Sequence, residues 1–272
     1  MTSIQLGPLT FLDTDTAGWT FSRLVDWWGG TGTKTATVER PNNHGAFADN
    51  RLFRTARAIS FDASFRGATS AEAEAAFDEL AAVGAETPVL MTVTTAAGAT
   101  SRVVRVDLSA ATSTEGVWLG FAHLDLIAPD PRRYADGAWQ QTGPVVQSGG
   151  LVWPAVWPLV WPVSGSSGRV TLQNPGRAPS PAVFRLLGPF DSALITCVES
   201  GARVGFNRPV PAGSVVEVSG RRAVIDGQSD VSRWLQFREW TDVPGGESRT
   251  FQFDPVGGAA AFMQGKVDPA WW

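Results

Sequence analysis

Hydrophobic and polar residues alternate along most of this chain, and a helical period interrupts that alternation once. Ile4 to Phe11 reads as a short strand, and Trp19 to Trp28 as a second segment with rings at Trp19, Phe21, Trp27 and Trp28. Thr35–Arg40 is strand-like, and Pro41-Asn42-Asn43-His44-Gly45 after it is a turn, because Asn and Gly accept positive φ at little cost. In the following run, Leu52 to Phe65, the residues Ile59, Phe61 and Ala63 fall on one face and Ser60, Asp62 and Ser64 on the other. Between Thr69 and Gly84 the period changes. Thr69 and Glu72 make a capping box, Ala73, Ala76, Phe77, Leu80 and Ala81 form one apolar stripe, and Gly84 supplies the stop. The acids Glu72, Glu74, Asp78 and Glu79 make its solvated face. Pro88–Thr95, Thr100–Leu108 and Val117–Ile127 return to strand, with turns at Ala97-Gly98 and Glu115-Gly116. Residues 1–130 are therefore expected to form a mostly β domain with a single covering helix.

The pattern breaks at Leu126 to Tyr134, Leu-Ile-Ala-Pro-Asp-Pro-Arg-Arg-Tyr. Pro129 and Pro131 each remove a backbone donor and push the preceding residue toward extended geometry, so neither a helix nor a central strand runs through. Residues 131–167 read as a connector. Inside it Val152-Trp153-Pro154, Val156-Trp157-Pro158 and Val160-Trp161-Pro162 repeat with a proline at every fourth position, which leaves an extended ribbon. If it is fully extended, the three indoles line one side, and burying them would contribute roughly 10 kcal/mol as an upper bound. From residue 168 to 272 short strands follow one another between turn signals such as Asn174-Pro175-Gly176, Gly188-Pro189 and Asp226-Gly227. That spacing predicts an antiparallel β-sandwich.

Composition narrows the function. The 272 residues carry a formal charge of −4 with no basic block, which argues against sequence-specific nucleic-acid binding. No apolar run approaches the roughly 20 residues of a membrane helix, and the N-terminus has no signal-peptide pattern, so synthesis in a cytoplasm without membrane insertion is expected. The single cysteine, Cys197, sits among apolar neighbours and is expected in the core. Twelve tryptophans against one tyrosine is the unusual balance, since each indole covers about 150–250 Å². Trp27, Trp28, Trp153, Trp157, Trp161, Trp271 and Trp272 are the candidate subunit or domain interface.

Catalytic patterns fail one by one. Gly29-Gly30-Thr31-Gly32-Thr33-Lys34-Thr35 suggests a phosphate loop, but Thr33 separates the last glycine from the lysine and a strand, not a helix, follows. His44 reads as a turn residue, and His123, inside Trp118 to Ile127, as a core or interface histidine. The pairs Asp125 with Asp130 and Asp226 with Asp230 are spaced as turn chemistry rather than as a glycosidase pair. No catalytic residue, cofactor or metal site is expected.

Taken together, His44-Gly45 after the glycine-rich loop, the exit Ala128-Pro129-Asp130-Pro131-Arg132-Arg133-Tyr134, the Trp-Pro repeat, Gly168-Arg169-Val170 to Asn174-Pro175-Gly176, Gly188-Pro189, Pro211-Ala212-Gly213 and Arg221-Arg222 resemble the distal tail proteins of long-tailed, non-contractile bacteriophages. The resemblance spans nearly the whole chain, with one departure. Relatives often carry an aspartate just before the arginine pair, where this chain has Val218-Ser219-Gly220. The resemblance implies an N-terminal belt domain that closes a six-membered ring and a C-terminal galectin-like sandwich. It also implies a virion tail-tip location, and as partners the chain itself, the tail tube protein and the tail hub, tail-associated lysin or fibre proteins. The rival reading is a carbohydrate-binding module that adheres to a host surface glycan, with Trp234 and Trp240 as candidate sugar-stacking residues.

Overall fold

The computed structural model describes residues 1–14, 16–34, 38–47, 52–114, 119–144, 167–258 and 260–272. The chain divides into two compact units, Met1–Ala135 together with Trp272, and Asp136–Trp271.

In the first unit the strands are β1 (Ser3–Leu6), β2 (Leu9–Leu12), β3 (Gly18–Val25), β4 (Arg57–Arg66), β5 (Val89–Thr95), β6 (Gly98–Thr114), β7 (Leu119–Ala128) and the short β8 (Arg133–Tyr134). Seven of them close on themselves in the order β5-β1-β2-β3-β4-β7-β6. Closure depends on the length of β6. Its first half pairs with β5, Val89 opposite Val104, and its second half with β7, Arg105 opposite Ile127. A closed barrel has no unpaired edge to expose. All these pairings are antiparallel except that of β2 with β3, a single parallel pairing of Leu12 with Thr20. The inward phase of each strand fills the interior. Ile4, Leu6, Phe11, Trp19, Ile59, Phe61, Met91, Val93, Val104, Leu124 and Leu126 share one core. The expected alternation along β4 is present, with Ile59, Phe61 and Ala63 inside.

Helix α1 spans Ser70–Ala82. Thr69 caps it, its side chain accepting from the Glu72 amide at 3.2 Å, while Glu72 accepts from the Ala68 amide at 2.8 Å. That is the capping box displaced by one residue on the return bond. Gly84 ends the helix at φ +74°. The packed stripe differs from expectation at one position. Ala81 is exposed, and Val83, just past the helix, is buried in its place. Phe77 lies against Trp19 with centroids 5.3 Å apart, and it approaches β7 at Gly120, where a Cβ would fall 2.1 Å from the Phe77 ring.

The second unit holds β9 (Gln140–Gln141), β10 (Arg169–Gln173), β11 (Ser180–Leu187), β12 (Ser192–Cys197), β13 (Arg203–Phe206), β14 (Val215–Ser219), β15 (Arg222–Ile225), β16 (Ser229–Asp230), β17 (Leu235–Gln236), β18 (Asp242–Val243), β19 (Ser248–Val256) and β20 (Phe262–Val267). One sheet runs β10-β19-β12-β13-β17 and the other β16-β15-β14-β11-β20-β9, with β18 on β11. Their inner faces share a single apolar core. Phe184 of one sheet meets Phe251 of the other with centroids 4.9 Å apart, and Cys197 is buried among them. The predicted antiparallel sandwich is present, with two additions. Part of the expected connector belongs to it, since Gln140 and Gln141 pair with Gly265 and Gln264. In addition, β20, hidden in the C-terminal stretch, lies between β11 and β9 in a sheet. The repeat of Trp153, Trp157 and Trp161 lies outside the described residues.

Candidate functional site

Two buried arginines organise one part of the barrel unit. Arg57 and Arg102 occupy the inward phase of β4 and β6, in register with Ile59 and Val104, and are 1% and 2% exposed. Arg57 donates through Nη1 to the carbonyls of Asp26, at 2.8 Å, and Gly29, and through Nε to the carbonyl of Pro131, at 3.1 Å. Arg102 donates through Nη1 to the Trp27 carbonyl at 2.8 Å and stacks on the Trp27 ring at 4.4 Å. Burial, with the nearby Arg57 and Arg133 cations against the pull of Asp130, pushes Arg102 down to about 9. The stretch that resembled a phosphate loop is thereby explained. Its carbonyls face internal donors: Gly29 takes the Arg57 guanidinium, Thr31 takes that of Arg54 at 2.9 Å, and Gly32 takes the Thr55 amide at 3.0 Å.

The proline-rich exit closes the same region. Asp130 accepts from Nε and Nη2 of Arg132 at 2.9 and 2.8 Å, from the Arg132 amide at 3.0 Å and from the Tyr134 hydroxyl at 2.7 Å. Burial raises its carboxyl, but these donors outweigh burial and hold it below the usual carboxylate range. Asp130 is therefore a structural knot and has no free oxygen for acid–base work. Asp226 and Asp230 are occupied likewise, by the Val215 amide and by Arg222 with Ser232. His44 has its amide on the Asn43 side chain at 2.9 Å, as the turn reading expects.

The outer face of β7 carries Phe121, His123, Asp125 and Ile127. His123 is not a core residue. Its Nδ1 lies 2.5 Å from Asp62 and its Nε2 3.5 Å from Asp125, and the hydrogen bond to Asp62 raises its pKa even though desolvation opposes this. Phe121 and Ile127 beside it are exposed, as are Leu90 and Val103, which sit opposite each other on β5 and β6.

The tryptophans separate. Trp27 is fully buried in the barrel unit, so that candidate interface ring is a core residue here. Trp28 next to it is 54% exposed. Trp272 groups with the first unit, 39% exposed, with the Arg54 guanidinium 5.8 Å above its ring, while Trp271 is half-buried. Trp234 stands in a 3₁₀ turn, 37% exposed under Arg233 at 5.2 Å. Trp240 packs against the sandwich core and lines a cleft of about 360 Å³ with Arg221 and Arg238. Among the described residues there is no group of three His, Cys, Asp or Glu side chains able to hold a metal, and no helix long and apolar enough to cross a membrane.

The buried arginines were missed at the level of sequence, although their signal is present. Each stands in the apolar phase of its strand, where a charge has no place unless the interior holds acceptors for it.

A closed barrel with the helix α1, followed by an antiparallel sandwich, makes this a two-part, mainly β chain. Solved structures specify the class further. The crystal structure of the SPP1 distal tail protein Dit (gp 19.1), described as a paradigm of the hub adsorption apparatus in phages infecting Gram-positive bacteria, superposes with a TM-score of 0.66 over 100% of both chains at 11% identity. Two structures of the phage P2 baseplate in its activated conformation, with Ca and with Sr, match with TM-scores of 0.58 and 0.57 at 11% identity, over 98% of this chain and 97% of theirs. The chain has the Dit fold from end to end. No protein-family profile matches it, and no curated protein is similar to it in sequence.

Proposed function

We propose that this chain is a structural protein of a phage tail tip, a subunit of a six-membered ring that joins the tail tube to the hub or fibre proteins around the DNA channel. The observation that carries this reading is the full-length match to Dit, both units in order, over 100% of each chain. Physical features of the barrel unit fit it. A ring built head to tail needs two unlike patches on every subunit. The face bearing Phe121, Ile127, Leu90 and Val103 beside the Asp62–His123–Asp125 cluster is one candidate, and the exposed Trp28 marks another. Trp153, Trp157 and Trp161 are proposed to pack on a neighbouring subunit. A net charge of −4 suits a channel that lets DNA pass without holding it. No catalytic role is proposed.

The test is light scattering on the full chain, alone and mixed with the tube and hub proteins of its own particle, with negative-stain imaging of each sample. Six-membered rings are expected in at least one of the two conditions. A monodisperse monomer in both would overturn the reading.

A further inference from the structure

We propose that the outer face of the β9-containing sheet is a binding site for a neutral oligosaccharide. The proposal concerns the sandwich unit alone and does not rest on the tail-tip reading. Strand register places five outward side chains in one transverse line: Gln141 on β9, Gln264 on β20, Arg185 on β11, Glu217 on β14 and Val224 on β15. At about 4.8 Å between strands the line is about 19 Å long. Over it lies an open cleft of about 610 Å³ whose lining includes the polar Arg185, Glu217, Gln264 and Asp226 and the aliphatic Leu187 and Val224. That volume lies within the range of about 300–1,000 Å³ for small-molecule clefts.

The polar groups of the cleft are held in place. The Arg185 guanidinium stacks on the Trp139 ring at 4.1 Å, and its Nε is bonded to Glu217 Oε2 at 2.9 Å. Those two contacts fix its plane and leave the terminal nitrogens, which no protein acceptor engages among the described residues, as donors to the cleft. Glu217 retains its second oxygen as an acceptor. The Gln264 amide is tied through Nε2 to Gln141 at 3.1 Å, which leaves its carbonyl oxygen as another. Donors and acceptors therefore alternate along the line, and little side-chain freedom remains to be lost on binding.

The chemistry of the lining selects the ligand class. One cation and two carboxylates give no positive excess for a polyanion, and Arg185 already offsets Glu217 against a polycation. A sugar hydroxyl donates and accepts at once, as this row requires, and the C–H faces of a pyranose suit the aliphatic Leu187, Val215 and Val224 of the lining. The cleft beside Trp240 lacks this balance, because its polar side chains are the two cations Arg221 and Arg238.

The full chain would be applied to an array of neutral and acidic glycans, and each hit titrated by calorimetry against wild type, Arg185→Ala, Glu217→Gln and Arg221→Ala. Thermal melting would first establish that each variant folds. Glu217→Gln keeps the side chain's shape and so covers the case in which Arg185→Ala does not fold. Binding of at least one neutral oligosaccharide is expected, weakened about tenfold or more by Arg185→Ala and by Glu217→Gln and unchanged by Arg221→Ala. No hit on the array, hits on acidic glycans only, or a neutral glycan bound equally by wild type and Glu217→Gln would each overturn the proposal.

Discussion

The two units bury polar groups in opposite ways. In the sandwich, Asn174 is fully buried and every one of its polar atoms is occupied: Nδ2 donates to the carbonyls of Ala178 and Val243, and Oδ1 accepts from the amides of Gly176 and Ala270. Ser180, equally buried, donates to the Asp268 carbonyl at 2.6 Å. The barrel instead buries whole charges. Among the described residues, every buried side-chain polar atom without a hydrogen-bond partner belongs to Trp27, Thr31, Arg57 or Arg102, all in that unit. A neutral amide inside the sandwich closes turns and ends its own account there. Two guanidinium groups inside the barrel hold loop carbonyls but keep N–H groups unanswered, so their net effect depends on how many carbonyls each one holds.

Asn174 gives the largest test of that contrast. Replacing it by Leu removes the partner of four main-chain groups in a place closed to water, and a loss of about 4 kcal/mol or more is expected in the sandwich unit. Hydrogen exchange resolved by peptide reads each unit separately, and the barrel amides should keep their protection. A loss below about 1 kcal/mol would mean that the turn around Asn174-Pro175-Gly176 stands without its side chain.

The arginines come next, and they should differ from each other. Arg57 holds the carbonyls of Asp26, Gly29 and Pro131, so it fastens both the glycine-rich loop and the exit to β4. Arg57→Met is expected to cost about 3 kcal/mol, measured by the same exchange experiment on the barrel peptides. Arg102 holds one carbonyl, and the pull of its surroundings is already against its charge. Arg102→Met should lie within about 1 kcal/mol of wild type or stabilise, since an apolar group of similar length relieves the desolvation and still covers Trp27. Equal losses for the two would show that the charge, and not the carbonyls, decides.

A smaller effect tests how the helix meets the barrel. Gly120→Ala puts a methyl group 2.1 Å from the Phe77 ring, so either α1 or β7 must shift, at about 2 kcal/mol. Gly120→Ala combined with Phe77→Leu should recover part of it. No equivalent helix contact exists among the described residues of the sandwich, where both faces of the core are sheet.

Much of this was visible in the residues themselves, and the reasons for the rest are specific. The alternation of Ile59, Phe61 and Ala63 and the box of Thr69 and Glu72 are local signals, and the structure repeats them. Closure of the barrel was not visible because β6 continues past Leu108 through Ala110, Ala111, Thr112 and Ser113, small and polar residues without an apolar phase, with a register shift between Leu108 and Ala110. Strand β20 was hidden for a related reason. Its inward residues are Met263, Gly265 and Val267, and the glycine interrupts the apolar phase at the point where Leu172 and Val170 crowd in to 3.3 Å of the missing Cβ. The candidate cleft assembles Arg185, Glu217, Val224 and Gln264 from four separate strands, so only sheet register brings them together. Of the adjacent pair Trp27 and Trp28, composition alone could not tell that the first ring is buried and the second exposed, because the arginine that stacks on Trp27 and holds its carbonyl stands 75 residues away.

The smallest expected effect concerns a charge that the barrel keeps outside. His123 pairs with Asp62 and faces Asp125, which in turn lies opposite Asp107 on β6. The hydrogen bond to Asp62 raises its pKa above the ordinary 6.5. A histidine raised on folding adds stability that is complete below the unfolded value and fades as pH climbs through the folded one. Because both partners are nearly half exposed, solvent and salt screen the gain, and it should be well below that of any substitution above. An NMR titration of the His123 ring is the direct measurement. Its midpoint should lie above 6.5 in the wild type and fall back toward that value in Asp62→Asn, which keeps an acceptor but removes the charge. Asp125→Asn should move it less, because the contact at 3.5 Å is longer than the one at 2.5 Å. A midpoint that ignores Asp62→Asn would mean that the acidic face as a whole, and not this pair, sets the charge of the patch. The contrast with Arg102 would then sharpen: the barrel would tune its outer ionisable group by a diffuse field and its inner one by burial.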